Sequence, residues 1–275
     1  WVEKFGIGKQ RTNIIVEKIQ AKKIIEIIAS YNKKVVTRQD PRVSAVLPNG
    51  SRFEGIMFDA VQNKPIFSIR KRPERVFTLD EYVQSNIITQ KQKDFLVKSI
   101  LDKKNILIVG GTSSGKTTFI NGCINELTET EDRVFLLEDT PELQCNILNS
   151  VFLTTTHYVS MKMLLQSSMR LNPDRIIVGE LRRGEETLEL LKAWNSGHAG
   201  GLSTIHANDC QSGLMKLEQY LAEVVASDQK KTILEGVDIV VNLIKNEENK
   251  RVVREIKLLK GYDENKKEYV LEEIA

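Results

Sequence analysis

The residues from Gly110 to Thr117 read Gly-Gly-Thr-Ser-Ser-Gly-Lys-Thr, the G-x-x-x-x-G-K-[ST] pattern of a phosphate-binding loop. Glycines let backbone N–H groups converge on phosphate oxygens, and a helix that starts behind the loop adds partial positive charge. In this pattern Lys116 reaches the β- and γ-phosphates, and the Thr117 hydroxyl ligates Mg²⁺. The pattern predicts that a nucleoside triphosphate binds at Gly110, Gly111, Thr112, Ser113, Ser114, Gly115, Lys116, Thr117 and Thr118.

Acidic residues follow two apolar runs that have the composition of buried strands. Residues 175–178 lead to Glu180, and residues 134–137 lead to the cluster Glu138-Asp139-Thr140-Pro141-Glu142. In an open parallel sheet the carboxyl ends of the strands face the ligand crevice. Carboxylates at that edge can polarise a water molecule or bind a metal ion. We therefore expect Glu180 to lie beside Mg²⁺ or its water shell.

Two of the three histidines, His198 and His206, lie in one segment rich in Gly, Thr and Asn, residues 196–208. Its glycines suit a backbone that approaches a ligand closely. A zinc site is the rival interpretation of the histidine pair. The two histidines are eight residues apart, Cys210 is a weak third ligand, and no C-x-x-C motif assists, so zinc chelation is not expected.

These groups need a scaffold in which strands and helices alternate. Residues 106–109 are a continuous apolar run, which is typical of a strand buried on both faces. The pattern predicts further strands at 134–137, 175–178, 237–244 and 251–259, the last two closing the chain. It predicts a mostly helical segment at 79–103 and helices at 118–127, 160–170, 185–194 and 212–226. This alternation predicts an α/β, RecA-like P-loop domain whose mostly parallel sheet has helices on both faces.

The N-terminal part has a different pattern. Residues 12–32 have the apolar spacing of an amphipathic helix that packs on a core, and strands are predicted near 43–47, 53–58 and 65–70. We therefore expect a smaller α+β domain over residues 1–75, a linker at about residues 70–80, and the RecA-like domain over residues 76–275.

Composition limits the class of protein. Hydrophobic residues make up 41% and charged residues 28% of the chain, which suits a globular protein with a substantial core. No run approaches the roughly 18 apolar residues of a membrane span, and residues 1–10 do not resemble a signal peptide. We expect a cytoplasmic protein with three reduced cysteines. Because the sequence opens with Trp1 rather than Met, we also expect residues upstream of it.

Charge is distributed unevenly. Residues 1–80 hold 16 basic and 8 acidic side chains, whereas the remainder holds 24 and 29. A basic N-terminal part favours an anionic membrane surface or a nucleic acid as partner, and a solvated charged face is the alternative.

Four motifs in this order resemble the ATPases of type II and type IV secretion. They are a Walker A motif at 110–117, an Asp box at 138–142, a Walker B motif at 175–180 and a His box at 197–208. Residues 67–73 and 77–83 are similar to the interdomain linker of the TrbB-like, conjugal-transfer branch, and residues 193–198 resemble its run into the His box. The resemblance covers nearly the whole chain.

The resemblance implies an N-terminal α+β domain flexibly joined to a RecA-like domain, assembled as a homo-hexameric ring. It implies that the protein hydrolyses ATP with Mg²⁺ to power assembly or substrate transfer at a type IV secretion or conjugation channel. Inner-membrane components of the secretion machinery would be its partners, and the ring would associate peripherally with the cytoplasmic face of that membrane.

The resemblance also implies roles for single residues. Lys116 and Thr117 would bind phosphate and Mg²⁺, Glu142 would be the catalytic glutamate, and Glu180 would be the Walker B glutamate. Either His198 or His206 would sense the γ-phosphate. Arginines of the N-terminal domain and linker contact nucleotide in this family, which makes Arg70, Arg72 and Arg75 candidates.

The chain departs from the family pattern in two places. Ser113 stands where the family usually has glycine, which could stiffen the loop or add a hydroxyl contact, and residues 59–64 lack the family's proline-rich segment.

Two other functions stay open. One is a RecA-like nucleic-acid motor, although the chain lacks the aromatic and basic stacking surface that single strands require, so direct nucleic-acid binding is not expected. The other is a nucleotide-gated scaffold with incidental turnover. No N-K-x-D motif indicates a GTPase.

Overall fold

The computed structural model describes residues 1–4, 8–71, 75–248 and 250–274. The chain divides into two compact units, Trp1–Glu74 and Arg75–Ala275. Each unit has its own hydrophobic core.

In the described residues of the first unit there are one α-helix, a two-stranded sheet and a three-stranded antiparallel sheet of order β3-β4-β5. Its elements are β1 (Val2–Lys4), β2 (Gly8–Gln10), α1 (Lys18–Tyr31), β3 (Arg42–Val46), β4 (Arg52–Ile56), a 3-10 helix (Phe58–Ala60) and β5 (Ile66–Arg70). The buried core consists of residues from α1, the sheet and the turn after β4: Ile25, Ala29, Val43, Phe53 and Met57.

Helix α1 begins later than its apolar pattern predicts. Residues 12–17 precede it, and Glu17 is its N-cap with extended backbone, at φ −73° and ψ 161°. The β-branched run at residues 14–16 explains the late start, because such side chains lose χ1 freedom in a helix.

The second unit is an α/β domain. Its elements are α2 (Leu79–Gln84), α3 (Gln90–Leu101), β6 (Ile106–Gly110), α4 (Lys116–Asn125), β7 (Val134–Glu138), β8 (Ser150–Thr154), α5 (Met161–Ser168), β9 (Arg175–Val178), α6 (Gly184–Asn195), β10 (Leu202–Ile205), α7 (Cys210–Ala222), α8 (Lys230–Gly236), β11 (Ile239–Lys245), β12 (Arg251–Asp263) and β13 (Glu268–Glu273). Among the described residues its sheet has the order β13-β12-β11-β6-β10-β9-β7-β8. Strands β11 to β8 in that order are parallel, and β12 and β13 are antiparallel.

Helices cover both faces of this sheet. Residues of α2, α3 and α4 pack on one face, and residues of α5 to α8 pack on the other. The strands β6, β7, β9 and β10 are buried along their whole length. In the described part of the chain, no helix has both the length and the apolar character needed to cross a membrane.

The structure refines some of the predicted elements and adds others. The segment 79–103, predicted to be mostly helical, consists of two helices, because Asn86 adopts a left-handed φ of 55° and Thr89 caps α3 by accepting from the Gln92 N–H at 3.1 Å. The expectation that residues 251–259 close the chain is wrong, since β13 follows β12. Strands β1, β2, β8 and β10 and helix α8 are further elements that the sequence pattern does not predict.

Candidate nucleotide-binding site

The loop between β6 and α4 has the geometry of a phosphate-binding loop. A Cβ at Gly110 would come 2.4 Å from the Leu243 carbonyl oxygen, so a larger residue would displace the neighbouring strand β11. Gly115 precedes α4 with φ 98°, a conformation that glycine adopts without strain. The loop ends at the N-terminus of a ten-residue helix, whose first N–H groups and dipole favour an anion.

Lys116 is buried inside the loop, with 6% of its surface exposed. Its ammonium group donates to the carbonyl oxygens of Gly110 at 2.8 Å and Gly111 at 3.1 Å. It also lies 3.1 Å from Nδ1 of His206. The lysine is thus held at the centre of the loop by two backbone groups and one imidazole.

His206 connects this lysine to the neighbouring strand. Because an ammonium group only donates, Nδ1 accepts, and the imidazole proton belongs on Nε2, which lies 2.7 Å from Glu180 Oε1. Partial burial and the nearby Lys116 charge lower the pKa of His206 below its ordinary value, and Glu180 opposes that shift. The histidine is therefore neutral at pH 7 and donates to a carboxylate.

Glu180 follows β9 and is held from the other side by an arginine. The Arg182 Nε donates to Glu180 Oε2 at 2.6 Å, and Arg182 Nη1 donates to Asp139 Oδ2 at 3.0 Å. The Thr155 hydroxyl donates to the second oxygen of Asp139, also at 3.0 Å. From Lys116 to Thr155, a continuous row of side chains crosses the carboxyl ends of β10, β9, β7 and β8.

The acidic cluster after β7 is arranged by its first member. Glu138 is buried, and its Oε1 accepts from the backbone N–H groups of Glu142 at 2.8 Å and Leu143 at 2.7 Å. The Asn121 side chain of α4 donates to the Glu142 carbonyl oxygen at 3.2 Å and accepts from Gln144 N at 3.0 Å. Glu142 is thus placed beside α4, at the same edge of the sheet as the phosphate loop, with a half-buried side chain.

The structure places His198 away from the phosphate loop, whereas His206 contacts Lys116. His198 Nδ1 lies 3.0 Å from the carbonyl oxygen of Pro173, which precedes β9. Gly200 N and Gly201 N donate to Asn105 Oδ1, just before β6. His198 therefore lies on the side of the sheet where the parallel strands begin, called the amino edge below. The four residues of β10, ~13 Å long, separate it from the carboxyl edge, where the strands end and His206 lies.

The three candidate arginines have different positions. Arg75 donates to Glu81 Oε1 at 2.6 Å, and its guanidinium lies 4.4 Å from the Phe77 ring centroid. Arg70 is an exposed residue at the end of β5 in the first unit. Arg72 lies outside the described residues. Contact of any of them with nucleotide stays a prediction.

Two residues that sequence reasoning did not single out contact the site. Arg182 pairs with Glu180, and its place two residues beyond a strand-end carboxylate is a signal that could have been used. Arg251, the first residue of β12, donates from Nε to the Ser113 carbonyl oxygen at 3.3 Å. It is 138 residues away in sequence, so no local pattern indicates it.

The donor set fits Mg²⁺ only together with phosphate oxygens. The half-buried Thr117 lies in the first turn of α4, and both oxygens of Glu180 already accept hydrogen bonds. Across the ranges that the structure describes, no group of three or more His, Cys, Asp or Glu could hold a metal ion. Thr117 can therefore serve as a direct ligand, and Glu180 can act through a water molecule of the metal.

The chain is similar to known proteins along most of its length. The profile of the family described as "Type II/IV secretion system protein" matches residues 11–266. The "Conjugal transfer protein TrbB" of Rhizobium radiobacter is 43% identical over 268 residues, which cover 96% of this chain and 82% of that protein. The "Probable conjugal transfer protein TrbB" of Sinorhizobium fredii (strain NBRC 101917 / NGR234) is 44% identical over 235 residues, covering 84% and 72%.

Among solved structures, the Legionella pneumophila ATPase DotB matches with a TM-score of 0.68 at 19% identity, over 95% of this chain and 73% of that one. At this identity the likeness shows the fold alone. It confirms the predicted class, an α/β RecA-like domain with a smaller N-terminal α+β domain.

Proposed function

This chain belongs to the type II/IV secretion system protein family, and from that premise we propose that it is an ATPase whose hydrolysis of ATP powers assembly or substrate transfer at a type IV secretion or conjugation channel. The observation that carries the proposal is the contact from Lys116 through His206 to Glu180. It joins a phosphate-binding cation to a carboxylate at a neighbouring strand end, which is the combination that triphosphate hydrolysis needs.

ATP binds with its phosphates against the loop amides and the N-terminus of α4. Lys116 then exchanges its hydrogen bonds to the Gly110 and Gly111 carbonyls, and to His206, for oxygens of the β- and γ-phosphates. Nδ1 of His206 loses its donor at that moment. His206 thereby responds to the presence of the γ-phosphate, and its other nitrogen carries the response to Glu180.

The metal ion has a limited part in this proposal. When bound, Mg²⁺ neutralises charge that develops on the β- and γ-phosphate oxygens. Thr117 would supply a hydroxyl ligand, and Glu180 would accept from a water molecule bound to the metal.

Hydrolysis requires a base that orients water in line with the leaving oxygen. We assign that role to Glu142, whose backbone is set by Glu138 and Asn121. A bond forms between the water oxygen and the γ-phosphorus, and the bond from that phosphorus to the β–γ bridging oxygen breaks. The proton goes to Glu142, and ADP and phosphate are released.

The working form is assigned as a homo-hexamer located in the cytoplasm and peripheral to the inner membrane, with inner-membrane secretion components as partners. Family membership supports this, as do relatives that are named conjugal transfer proteins. The 16 basic against 8 acidic side chains of residues 1–80 suit an anionic membrane surface. Arg70, Arg72 and Arg75 are the proposed arginine contacts, and Arg75 must leave Glu81 to serve.

Steady-state ATP hydrolysis by Lys116→Ala tests the activity. We expect turnover to fall by about 10²- to 10³-fold or more, because the variant lacks the cation that meets the transferred phosphoryl group. Lys91→Ala, on the exposed face of α3, is the matched control and should retain wild-type turnover. Hydrolysis by Lys116→Ala at the wild-type rate would falsify the proposal.

Native mass spectrometry with and without a non-hydrolysable ATP analogue tests the assembly. The expected species is a hexamer. A monomer or dimer under both conditions contradicts the ring and leaves the hydrolysis result to stand by itself.

A further inference from the structure

Ser113 lies in the phosphate loop with a φ of 61°, in the left-handed region. A residue with a Cβ atom is disfavoured there, whereas glycine adopts this conformation freely. Residues held in such backbone conformations persist where surrounding contacts over-determine them. We therefore expect a contact that holds the backbone of Ser113 in this conformation.

Arg251 supplies that contact. Its Nε donates to the Ser113 carbonyl oxygen at 3.3 Å. A Cβ added at Gly115 would come 2.9 Å from Arg251 Cδ and 3.3 Å from its Nε. The arginine side chain thus lies against the two loop residues that have positive φ, Ser113 and Gly115.

The backbone of Arg251 belongs to a regular hairpin. Strand β11 pairs in parallel with β6, and Leu243 is in register with Gly110, the first residue of the loop. Strand β12 pairs with β11 in antiparallel fashion, and Arg251 is in register with Lys245. The β11–β12 hairpin is therefore joined directly to the strand that carries the loop, which gives the guanidinium a defined position over it.

We propose that Arg251 is a positioning residue of the phosphate loop: it holds Ser113 in the left-handed conformation in which the loop presents its amides to phosphate. The inference rests on the proposed function, since it requires that the loop bind nucleotide. A guanidinium suits the task because it is always charged and donates in fixed directions. Glycine at position 113 would need no such support.

A double-mutant cycle tests this dependence. The variants are Arg251→Gln, Ser113→Gly and their combination, and the measurement is the Kd for Mg-ADP and Mg-ATP by calorimetry. We expect Arg251→Gln alone to weaken binding about tenfold, a change of ~1.4 kcal/mol. In the presence of Ser113→Gly, the same substitution should change Kd by less than about twofold. The Kd of Ser113→Gly alone is the reference against which the double variant is compared.

Two further variants control for folding and for charge. Arg254→Gln removes an exposed arginine from the same strand and should leave Kd unchanged. Arg251→Lys retains a donor for the carbonyl oxygen and should recover part of the lost affinity. If Arg251→Gln does not fold by thermal melting, the cycle is completed with Arg251→Lys.

The outcomes separate this inference from the proposed function. Equal losses of affinity with and without Ser113→Gly, or wild-type affinity in Arg251→Gln, overturn the role of Arg251 and leave the ATPase intact. If Lys116→Ala binds both nucleotides as the wild type does, or the wild type binds neither, the proposed function fails and the inference falls with it.

Discussion

The two edges of the eight-stranded sheet carry the same kinds of residue and arrange them differently. At the amino edge, Arg175 is 1% exposed and Asn105 is 3% exposed, and each makes several hydrogen bonds to its surroundings. At the carboxyl edge, the side chains of His206 and Arg182 are 48% and 46% exposed. Arg175 and Asn105 are thus closed to solvent, whereas His206 and Arg182 are half open to it.

This difference separates a structural network from a site that can exchange partners. A buried polar group that loses a hydrogen bond destabilises the fold strongly, because water cannot replace the partner. The contacts of Arg175 are therefore permanent in the folded protein. A half-exposed group can trade a protein partner for water or a ligand at small cost. The carboxyl-edge network is therefore the one that can respond to a nucleotide, although both networks are well connected.

The largest expected effect comes from opening the amino edge with Arg175→Met. This arginine pairs with Asp132 at 2.5 Å and donates to the Ile100 carbonyl oxygen at 2.7 Å. Removing it leaves Asp132 with Lys103 as its remaining cation and takes a donor from the buried Ile100 carbonyl oxygen, and we expect the free energy of unfolding to fall by about 3–5 kcal/mol. Urea unfolding measures it. Arg170→Met, at an exposed position, is the control, and a loss below about 1 kcal/mol would contradict the structural role.

Glu180→Gln, at the carboxyl edge, should affect activity rather than stability. The amide has the same shape but lacks the charge that faces His206 and Arg182. We expect kcat to fall about 10²- to 10³-fold, or ~3–4 kcal/mol in activation free energy, with less than ~1 kcal/mol change in unfolding. Glu185→Gln, an exposed carboxylate of α6, should keep wild-type kcat. Equal kcat in both variants would remove Glu180 from the mechanism.

Replacing each histidine by Gln tests the two edges with the same substitution. His206→Gln should lower kcat about tenfold or more, because the link from Lys116 to Glu180 is broken. His198→Gln should leave kcat within about twofold, since that imidazole contacts the Pro173 carbonyl at the far edge. Phosphate-release assays of the two variants measure the difference. A larger loss in His198→Gln would reverse the assignment.

The smallest effect is a dependence of stability on pH at the amino edge. Partial burial alone would raise the pKa of Asp132, but hydrogen bonds from Arg175 and Lys103 outweigh it and hold that pKa below its ordinary value. A pKa lower in the folded than in the unfolded state means that Asp132 stabilises the fold above its unfolded pKa. That contribution is lost as pH falls through the folded value.

The difference in unfolding free energy between the wild type and Asp132→Asn should therefore be largest near pH 7 and decrease below about pH 4. Urea titrations at a series of pH values measure it. A difference that is constant with pH would mean that the Asp132 charge does not contribute.

Local sequence patterns indicate the candidate residues of the motifs, but not the side chains that contact them in the folded protein. The loop from Gly110 to Thr117 and the strand that ends before Glu180 were readable because consecutive residues specify a strand, a turn and a helix. Arg182 and Arg251 were not, since their partners depend on which strands are neighbours. The mostly helical character of residues 79–103 was likewise predictable from local pattern, and Thr89 marks the start of its second helix.

The family, the phosphate loop and the α/β class were determined by the sequence itself, because each depends on short runs of residue types that set backbone conformation. Which histidine faces the loop was decided only by the tertiary structure. The spacing of His198 and His206 does not indicate which of them faces the loop. Strand β10 lies between them, so one histidine is at each edge of the sheet. Likewise, sheet order alone places Arg251 over Ser113, because β11 lies beside β6.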